Sequence, residues 1–163
     1  MMTNNARIIT QQQELIHKLA WDEAYGCHTR SGFEHMIWPE IAHKAKHIVF
    51  FDVDGVHAIN EKHGSYDAFD VMVKQVISTV RSTDIVAGRW NSGDELVLCM
   101  VESEDRKSLD PKGLVNRLTE EFAKHGLTAM FAIRDVKSPV LKDNVKPAAD
   151  EVLAAKKARG MTQ

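Results

Sequence analysis

The sequence predicts an α+β fold, a ferredoxin-like βαββαβ unit with an antiparallel sheet and helices packed on one face. Three observations predict it: a buried strand at 47–53, a tight-hairpin signal between the apolar runs 85–91 and 95–101, and a helix with clear boundary residues at 111–125. The predicted order from the first strand is β-α-β-β-α-β and then a helix, which is the split βαβ arrangement. With 163 residues, 44% of them hydrophobic, the chain is expected to form a single domain, 1–163, with an adequate core.

Two helices are expected ahead of the sheet. Apolar positions along 8–22 indicate the first helix, which leads into the main unit at about 22–160. The second helix should begin at Ser31 and run to about Lys44. Ser31 and Glu34 have the spacing of a capping box, in which each side chain satisfies the free amide of the other residue.

The remaining elements follow from apolar periodicity and from boundary residues. A Gly-Asp pair at Gly93 and Asp94, between two apolar runs, is a hairpin signal. Asp110 followed by Pro111 is typical of a helix N-cap and first turn. In chain order we expect a polar segment at 54–65, a helix at about 66–82, strands at 85–91 and 95–101, a helix at 111–125, a strand at 127–133 and a final helix from Pro147 to Arg159.

Composition and charge restrict the function classes. A formal net charge of -2 argues against stable nucleic-acid binding, because dedicated nucleic-acid binders usually have a concentrated basic surface. Cys27 and Cys99 are too few for a disulfide framework and suit a reducing compartment. No run approaches the roughly 20 apolar residues of a membrane-spanning helix, and the N-terminus lacks the apolar region of a signal peptide. We therefore expect a soluble cytoplasmic protein with no membrane partner.

The stretch Ile48 to Val56, IVFFDVDGV, ends a hydrophobic strand in Asp-x-Asp-Gly. Asp52 could be the nucleophile of a dehalogenase-type phosphatase, which accepts a phosphoryl group, or it could be a metal ligand. In those phosphatases the strand normally stands near the start of a doubly wound parallel sheet. Here two predicted helices precede it and a hairpin follows. The topology therefore favours the metal ligand.

Asp52 and Asp94 are expected to converge in space. In a split βαβ sheet the first strand is central, and the hairpin between the next two strands reaches the same end of the sheet. Two carboxylates there, beside exposed backbone carbonyls, suit hard cations that prefer oxygen ligands, as in two-metal phosphoryl and nucleotidyl transfer. The alternative is that both acids are simply solvated, as acids at strand ends and turns usually are.

Four separated blocks resemble the motifs of the GGDEF family of nucleotide cyclases, in the family's order and over about residues 22–160. Together they are specific, although the signature alone would be weak. The blocks are Asp22 to Phe33 (DEAYGCHTRSGF) against D-x-L-T-G-L-x-N-R-x-x-F, Phe50 to Gly64 (FFDVDGVHAINEKHG) against F-D-x-D-x-F-K-x-I-N-D-x-x-G, Ser92 to Leu96 (SGDEL) as the signature, and Ala149 to Lys157 (ADEVLAAKK) against A-D-x-A-L-Y-x-A-K.

The resemblance implies a palm-like fold that joins two nucleoside triphosphates into a cyclic dinucleotide, with one triphosphate bound per subunit of a homodimer. It implies two Mg²⁺ or Mn²⁺ ions per active site, held by Asp52, Asp94 and the carbonyl of Val53, with Glu95 at the metals or near the attacking hydroxyl. The other implied roles are nucleotide contacts, namely phosphate binding by the amides of Gly55 and Val56, a base contact by Asn60, a triphosphate contact by Lys157, and contacts at the signature residues Ser92 and Gly93.

The chain departs from the family's pattern at several of these positions. Phe69 stands where the family has the Asp that reads guanine, so that guanine loses an acceptor and Phe69 offers a stacking or packing surface. His57, still expected at the nucleotide, replaces a phosphate-region lysine, and Met161 replaces the arginine of the closing G-R-N. The segment from Arg81 to Asp84 resembles the product-inhibition motif R-x-x-D, but seven residues instead of five separate it from the signature.

In its small size and in having Phe69 at this position, the chain also resembles the minimal CRISPR polymerases. These are relatives of the polymerase subunit of type III CRISPR systems and are associated with antiphage signalling. That resemblance implies ATP rather than GTP as the preferred substrate and a cyclic di-AMP-like product. Two alternatives remain open: a conventional diguanylate cyclase that makes cyclic di-GMP, and a catalytically degenerate module that binds nucleotides or proteins. Asp52, Asp94 and Glu95 together favour an enzyme, because a binding module would not need all three acids.

Overall fold

The computed structural model of the chain describes residues 3–106 and 108–160. From the third strand onward it contains the predicted β-α-β-β-α-β order, with one additional helix. The elements are α1 Asn4–Ala20, β1 Trp21–Asp22, β2 Cys27–Thr29, α2 Arg30–Gly32, a π-helical turn Phe33–Ile37, α3 Trp38–Ile41, β3 Ala45–Asp54, α4 Val56–His63, α5 Ala68–Ile77, β4 Ile85–Gly88, β5 Glu95–Val101, α6 Pro111–Ala123, β6 Thr128–Asp135 and α7 Leu141–Ala158.

The six strands form one sheet in the order β1-β2-β4-β5-β3-β6. The pairs β1–β2, β4–β5, β3–β5 and β3–β6 are antiparallel, whereas β2 pairs with β4 in parallel. Within this sheet, β4-β5-β3-β6 is the strand order of a split βαβ unit, with the first strand of the unit in the middle. The predicted α+β, ferredoxin-like fold is confirmed.

The middle of the central strand β3, from Ile48 to Phe51, is apolar because helices cover both faces of the sheet. Val49, Phe51 and Val53 point into a core shared with α5 and α6, while Ile48 and Phe50 pack against residues of α3 and α7. All five side chains are at most 1% exposed. A strand that is buried on both sides reads as a continuous hydrophobic run. The expectation of helices on one face is therefore wrong, and the second layer of helices is the reason for the uninterrupted run.

The N-terminal region differs most from the prediction. The first helix was expected at 8–22 but is α1, which ends earlier and buries none of its residues. The strands β1 and β2 were not predicted, because two or three residues are too few to show an alternating pattern. The single helix expected up to Lys44 is instead divided into α2, the π-helical turn and α3. The turn precedes Pro39, which has no N–H to donate to the preceding turn of helix.

The cap of α2 is Thr29 and not Ser31. Thr29 Oγ1 accepts a hydrogen bond from the amide of Gly32 at 3.0 Å. Glu34, the expected partner in the capping box, pairs with Arg30 at 2.9 Å instead. The N-cap therefore lies two residues earlier than the capping-box spacing predicts.

Further boundaries differ from the prediction: the strand predicted at 85–91 ends at Gly88, and the helix predicted at 66–82 is the shorter α5. The segment 54–65, expected only as a polar segment, contains α4 between Gly55 and Gly64, whose φ values of +103° and +61° lie in the left-handed region that favours glycine. α7 begins at Leu141 rather than at Pro147, which lies inside the helix. The proline was mistaken for a helix start because proline is common in the first helical turn.

Neither of the longest helices is a candidate for a membrane span. α1 has 17 residues and α7 has 18. In the part of the chain that the structure describes, no helix combines the length and the apolar character that crossing a bilayer requires.

Candidate functional site

Asp52 and the signature hairpin meet at one end of the sheet. Asp52 pairs with Glu95 across β3 and β5. The amide of Val53 donates a hydrogen bond to the carbonyl of Asp94 at 2.9 Å. The backbone register therefore brings the three acids to the same end of the central strand, as the topology predicts.

Asp52 is a buried carboxyl group, only 3% exposed. Burial raises the pKa of Asp52 to about 6; contact with Lys156 opposes this rise, and the charges of Asp94 and Glu95 add to it. Nζ of Lys156 lies 2.8 Å from Oδ1 of Asp52 and 3.4 Å from Oδ1 of Asp54. Burial works to lower the pKa of Lys156, but the two carboxylates outweigh it and leave that pKa above its ordinary value.

Ser92 joins the two acids of the signature. Its Oγ lies 2.8 Å from Oδ1 of Asp94 and 2.8 Å from Oε1 of Glu95, and its single proton can be donated to only one of them at a time. Asn91 Nδ2 donates to the other oxygen of Glu95 at 3.2 Å, and Asn91 Oδ1 accepts from Arg30 at 2.8 Å. This network orients the signature acids and connects the turn to α2.

A second set of contacts holds the turn at Gly93. The hydroxyl of Tyr25 donates to the carbonyl of Gly93 at 2.6 Å, and the guanidinium of Arg89 lies 4.2 Å from the centre of the Tyr25 ring. Arg89 also contacts Asp22 at 2.7 Å and Asp70 at 3.3 Å, and these contacts hold it at a φ of 51°, unusual for a residue with a side chain. Sequence reasoning missed Tyr25 and Arg89 because these contacts join positions 68 and 67 residues apart.

The acid cluster, which consists of Asp52, Asp94 and Glu95, offers oxygen ligands for a divalent cation. The three carboxylates and the backbone carbonyl of Val53 are the hard donors that Mg²⁺ and Mn²⁺ prefer. Asp52 Oδ1 is buried, and within the described residues no aligned hydrogen-bond donor faces it. The described part of the chain contains no group of three or more His, Cys, Asp or Glu side chains already gathered around an ion position. Lys156 and Ser92 engage the carboxylates instead.

Helix α4 begins directly after β3 and forms part of the wall of an open cavity of about 480 Å³. Gly55 and Val56 stand at its first turn, where backbone amides have no partner within a helix and attract phosphate oxygens. His57 and Asn60 follow on the same helix and line the cavity, together with Tyr66, which is 99% exposed. The residues predicted to bind phosphate and base in this region therefore lie on α4 and its N-cap, directly after β3.

Phe69 does not line this cavity. The structure contradicts the expected contact between its ring and a nucleotide, because Phe69 is 1% exposed and packs into the core with Val73 and Leu118. Its backbone amide donates to Oδ1 of Asn60 at 3.0 Å. This bond ties α5 to α4 and leaves the Nδ2 group of Asn60 to donate to a ligand.

Truncation of Phe69 should destabilise the fold. Phe69→Ala removes a fully buried ring, so we expect the free energy of unfolding to fall by about 3–5 kcal/mol. Tyr66→Ala is the matched control, and removal of its exposed ring should change the same quantity by less than about 0.5 kcal/mol. Urea unfolding followed by circular dichroism measures both variants. Equal, small effects would contradict the burial of Phe69.

On α7 it is Lys156, and not Lys157, that faces the acids. Lys157 is exposed, and its contact with a triphosphate stays a prediction. Met161, at the position of the family's closing arginine, lies outside the described residues.

Arg81 and Asp84, the two charged residues of the R-x-x-D resemblance, do not pair with each other. Asp84 is buried and pairs with Arg106 at 2.8 Å, and Arg106 also donates to Thr83 at 3.0 Å. Arg81 is exposed. Asp84 therefore anchors the loop after β5 in this structure.

Comparisons with known proteins identify the fold. No protein-family profile and no curated protein matches the sequence. The chain is similar to the diguanylate cyclase SiaD of Pseudomonas aeruginosa, solved in complex with its activator SiaC (TM-score 0.65, 19% identity), to a sensory box/GGDEF family protein of Caulobacter crescentus (0.67, 18%), and to the S helix-GGDEF-EAL part of Vibrio cholerae LapD bound to c-di-GMP (0.64, 14%).

The three similarities cover 95%, 85% and 96% of this chain, and 65%, 99% and 38% of the respective solved chains. The chain thus spans less than two thirds of the SiaD and LapD chains. At these identities the similarity shows the fold alone. The chain has the palm-like fold of GGDEF domains.

Proposed function

We propose that this chain is a metal-dependent nucleotidyl cyclase, which condenses two nucleoside triphosphates into a cyclic dinucleotide and releases pyrophosphate. A fold does not define a reaction, so the site is the basis of the proposal. The observation that supports it most is the pairing of Asp52 with Glu95, which brings the three acids to the end of the central strand. Helix α4, which follows β3 directly, lines an open cavity.

The chain's own groups would bind and orient the substrate. The first-turn amides of α4 would bind phosphate oxygens, and the cavity residues would hold the base. Glu95 would accept the proton of the attacking ribose hydroxyl, whose oxygen bonds to the α-phosphorus of the second triphosphate as the bond to pyrophosphate breaks. Two Mg²⁺ or Mn²⁺ ions, held by Asp52, Asp94 and the carbonyl of Val53, would neutralise phosphate charge. A second such step closes the ring.

The reaction class can be tested by pyrophosphate release. The protein is incubated with each of the four nucleoside triphosphates, in Mg²⁺ or Mn²⁺ and, as a control, in EDTA. We expect release with at least one purine triphosphate and none in EDTA. Absence of release with every triphosphate and both metals would contradict the proposal.

For the base we propose adenine, with guanine as the alternative to be tested. Asn60 Oδ1 already accepts the Phe69 amide, so the group that Asn60 offers to the cavity is a donor. A donor can bind N1 of adenine or O6 of guanine, but guanine also presents two donors, N1–H and the exocyclic amine, that need an acceptor. Asp70, the carboxylate beside Phe69, is engaged by Arg89. Glu61 is the carboxylate on the cavity wall, and it is exposed to competing water.

A competition assay with equal ATP and GTP tests the base. We expect mainly adenine in the cyclic product of the wild type, and the same adenine-to-guanine ratio for Glu61→Gln, because adenine does not need that carboxylate. The products are quantified by mass spectrometry. Exclusive cyclic di-GMP from the wild type would contradict the adenine proposal. A loss of guanine incorporation in Glu61→Gln would identify Glu61 as a guanine reader.

The second candidate function is a non-catalytic module that binds nucleotides. One observation favours it: Lys156 occupies the space beside Asp52, and the described carboxylates are not gathered around an ion. Nucleotide binding without pyrophosphate release would support this candidate.

For the biological role of the cyclase we propose antiphage signalling, and this proposal depends only on the sequence resemblance to minimal CRISPR polymerases.

A further inference from the structure

Helix α7 has a buried stripe of side chains that ends in a lysine. Leu141, Val145, Ala148 and Val152 are buried at helical spacing, and Lys156 is the next member of the same stripe, at 6% exposed. Lysine is almost never buried to this degree unless it is paired. The side chain therefore has a specific partner in the interior.

Its partners are Asp52 of the acid cluster and the neighbouring Asp54. Nζ of Lys156 lies 2.8 Å from Oδ1 of Asp52 and 3.4 Å from Oδ1 of Asp54. Although the first distance is that of a hydrogen bond, the approach is not aligned as one, and Asp52 Oδ1 has no aligned donor among the described residues. The contact is an ion pair at close range, and the ammonium stands where a cation would approach this oxygen.

The lysine is an addition to the motif that this helix resembles. In A-D-x-A-L-Y-x-A-K, the position of Lys156 is an alanine and the motif's own lysine corresponds to Lys157. Lys157 is exposed, so that the helix carries one cation on its surface and a second one against the acids.

An ammonium and a divalent ion cannot both bind the same carboxylate oxygen at close range. Their mutual repulsion is large in a poorly solvated site. The flexible four-carbon stem of lysine allows the ammonium to move away without displacing the helix. Either cation can therefore neutralise Asp52, and the two compete for Asp52 Oδ1.

We propose that Lys156 is a resident counter-cation of the acid cluster: it holds Asp52 and Asp54 while no divalent ion is bound, and a divalent ion must displace it to reach Oδ1 of Asp52. This inference depends on the proposed function, since it takes the cluster to be a cation site. Its consequence is that divalent ions bind more weakly than the acids alone would bind them.

Binding of Mn²⁺ without nucleotide tests the inference, at fixed pH and by isothermal titration calorimetry. Lys156→Met keeps the length of the side chain and removes its charge. The control, Lys142→Met, removes the same charge from an exposed position of the same helix. We expect Lys156→Met to bind Mn²⁺ about 10-fold more tightly than the wild type, or better, and Lys142→Met to bind like the wild type.

Thermal unfolding gives a second readout that does not need activity. In EDTA the midpoint of Lys156→Met should lie below that of the wild type, because its carboxylates lose their counter-cation, and Mn²⁺ should raise it by more than it raises the wild type's midpoint. If Lys156→Met does not fold, Lys156→Arg, which keeps the charge, should bind Mn²⁺ no more tightly than the wild type.

The outcomes separate this inference from the proposed function. Equal Mn²⁺ affinity for the wild type and Lys156→Met would overturn the role of Lys156 and leave the cyclase proposal intact. Tighter Mn²⁺ binding by Lys156→Arg than by the wild type would overturn it as well. Absence of Mn²⁺ binding in the wild type and all variants would overturn the inference, because the free cluster would then be no cation site, while pyrophosphate release would still decide the cyclase proposal. Binding by Lys156→Met alone would support the inference in its strongest form.

Discussion

Replacement of Asp52 or Asp94 by asparagine should reduce cyclic dinucleotide formation by more than about 100-fold. Loss of a partner that only orients a metal ligand typically costs about 10–100-fold, and these two residues are proposed as ligands themselves. Asparagine keeps the shape of the side chain, so the loss would report the missing charge. Product formation by each variant is measured in Mg²⁺ and in Mn²⁺.

The control for the acid variants is Asp105→Asn, an exposed residue in the loop after β5. It should retain wild-type turnover. Circular dichroism should show that all three variants are folded, because removal of one carboxylate relieves repulsion within the cluster while Asp54 still faces Lys156. Near-wild-type turnover of a folded Asp52→Asn or Asp94→Asn variant would contradict the proposed site.

Activity per subunit should fall when the protein is diluted. One palm binds one triphosphate in the proposed reaction, so that two subunits must face each other to join two nucleotides. Below the dissociation constant of the dimer, the rate should decrease with the square of the protein concentration. The rate is measured from micromolar to nanomolar protein, and analytical ultracentrifugation at the same concentrations reports the fraction of dimer.

Mixing provides a sharper version of the same test. When inactive Asp52→Asn subunits are added to a constant amount of wild type, mixed dimers retain one intact site and should stop at a linear dinucleotide. Cyclic product should then fall as linear product rises. A constant rate per subunit at concentrations where ultracentrifugation finds monomers would contradict the dimer.

The central part of the fold was predictable because its signals are local and strong. The apolar run before Asp52, the hairpin at Gly93 and the cap at Asp110 each mark an element within a few residues, and all three elements are present. The short strands β1 and β2 carry no such signal. Helix α4 was missed because its only partly buried apolar residues are Val56 and Ile59, too few to show a stripe.

The candidate site was predictable only as far as backbone topology determines it. The central position of β3 places Asp52 opposite the signature, and the observed register agrees. The direction in which individual side chains point was harder to predict from the sequence. Phe69 was expected at the nucleotide because of its position in a motif, yet the first turn of α5 directs it into the core.

The same limit applies to Lys156. The resemblance pointed to Lys157, while the helical register places Lys156 one turn after Val152 on the buried face of α7. The spacing of Leu141, Val145, Ala148 and Val152 contains this information, because the next position of that stripe is residue 156. The stripe was not recognised because the helix was expected to begin only at Pro147.

Mass spectrometry of the reaction products tests the central claim most directly. Wild-type protein and Asp52→Asn are each incubated with ATP and GTP in Mn²⁺, and products and pyrophosphate are quantified. The proposed function predicts a cyclic dinucleotide from the wild type, two pyrophosphates released per cyclic product, and neither from the variant. Unchanged triphosphates with the folded wild type, or the same products from the wild type and the variant, would contradict it.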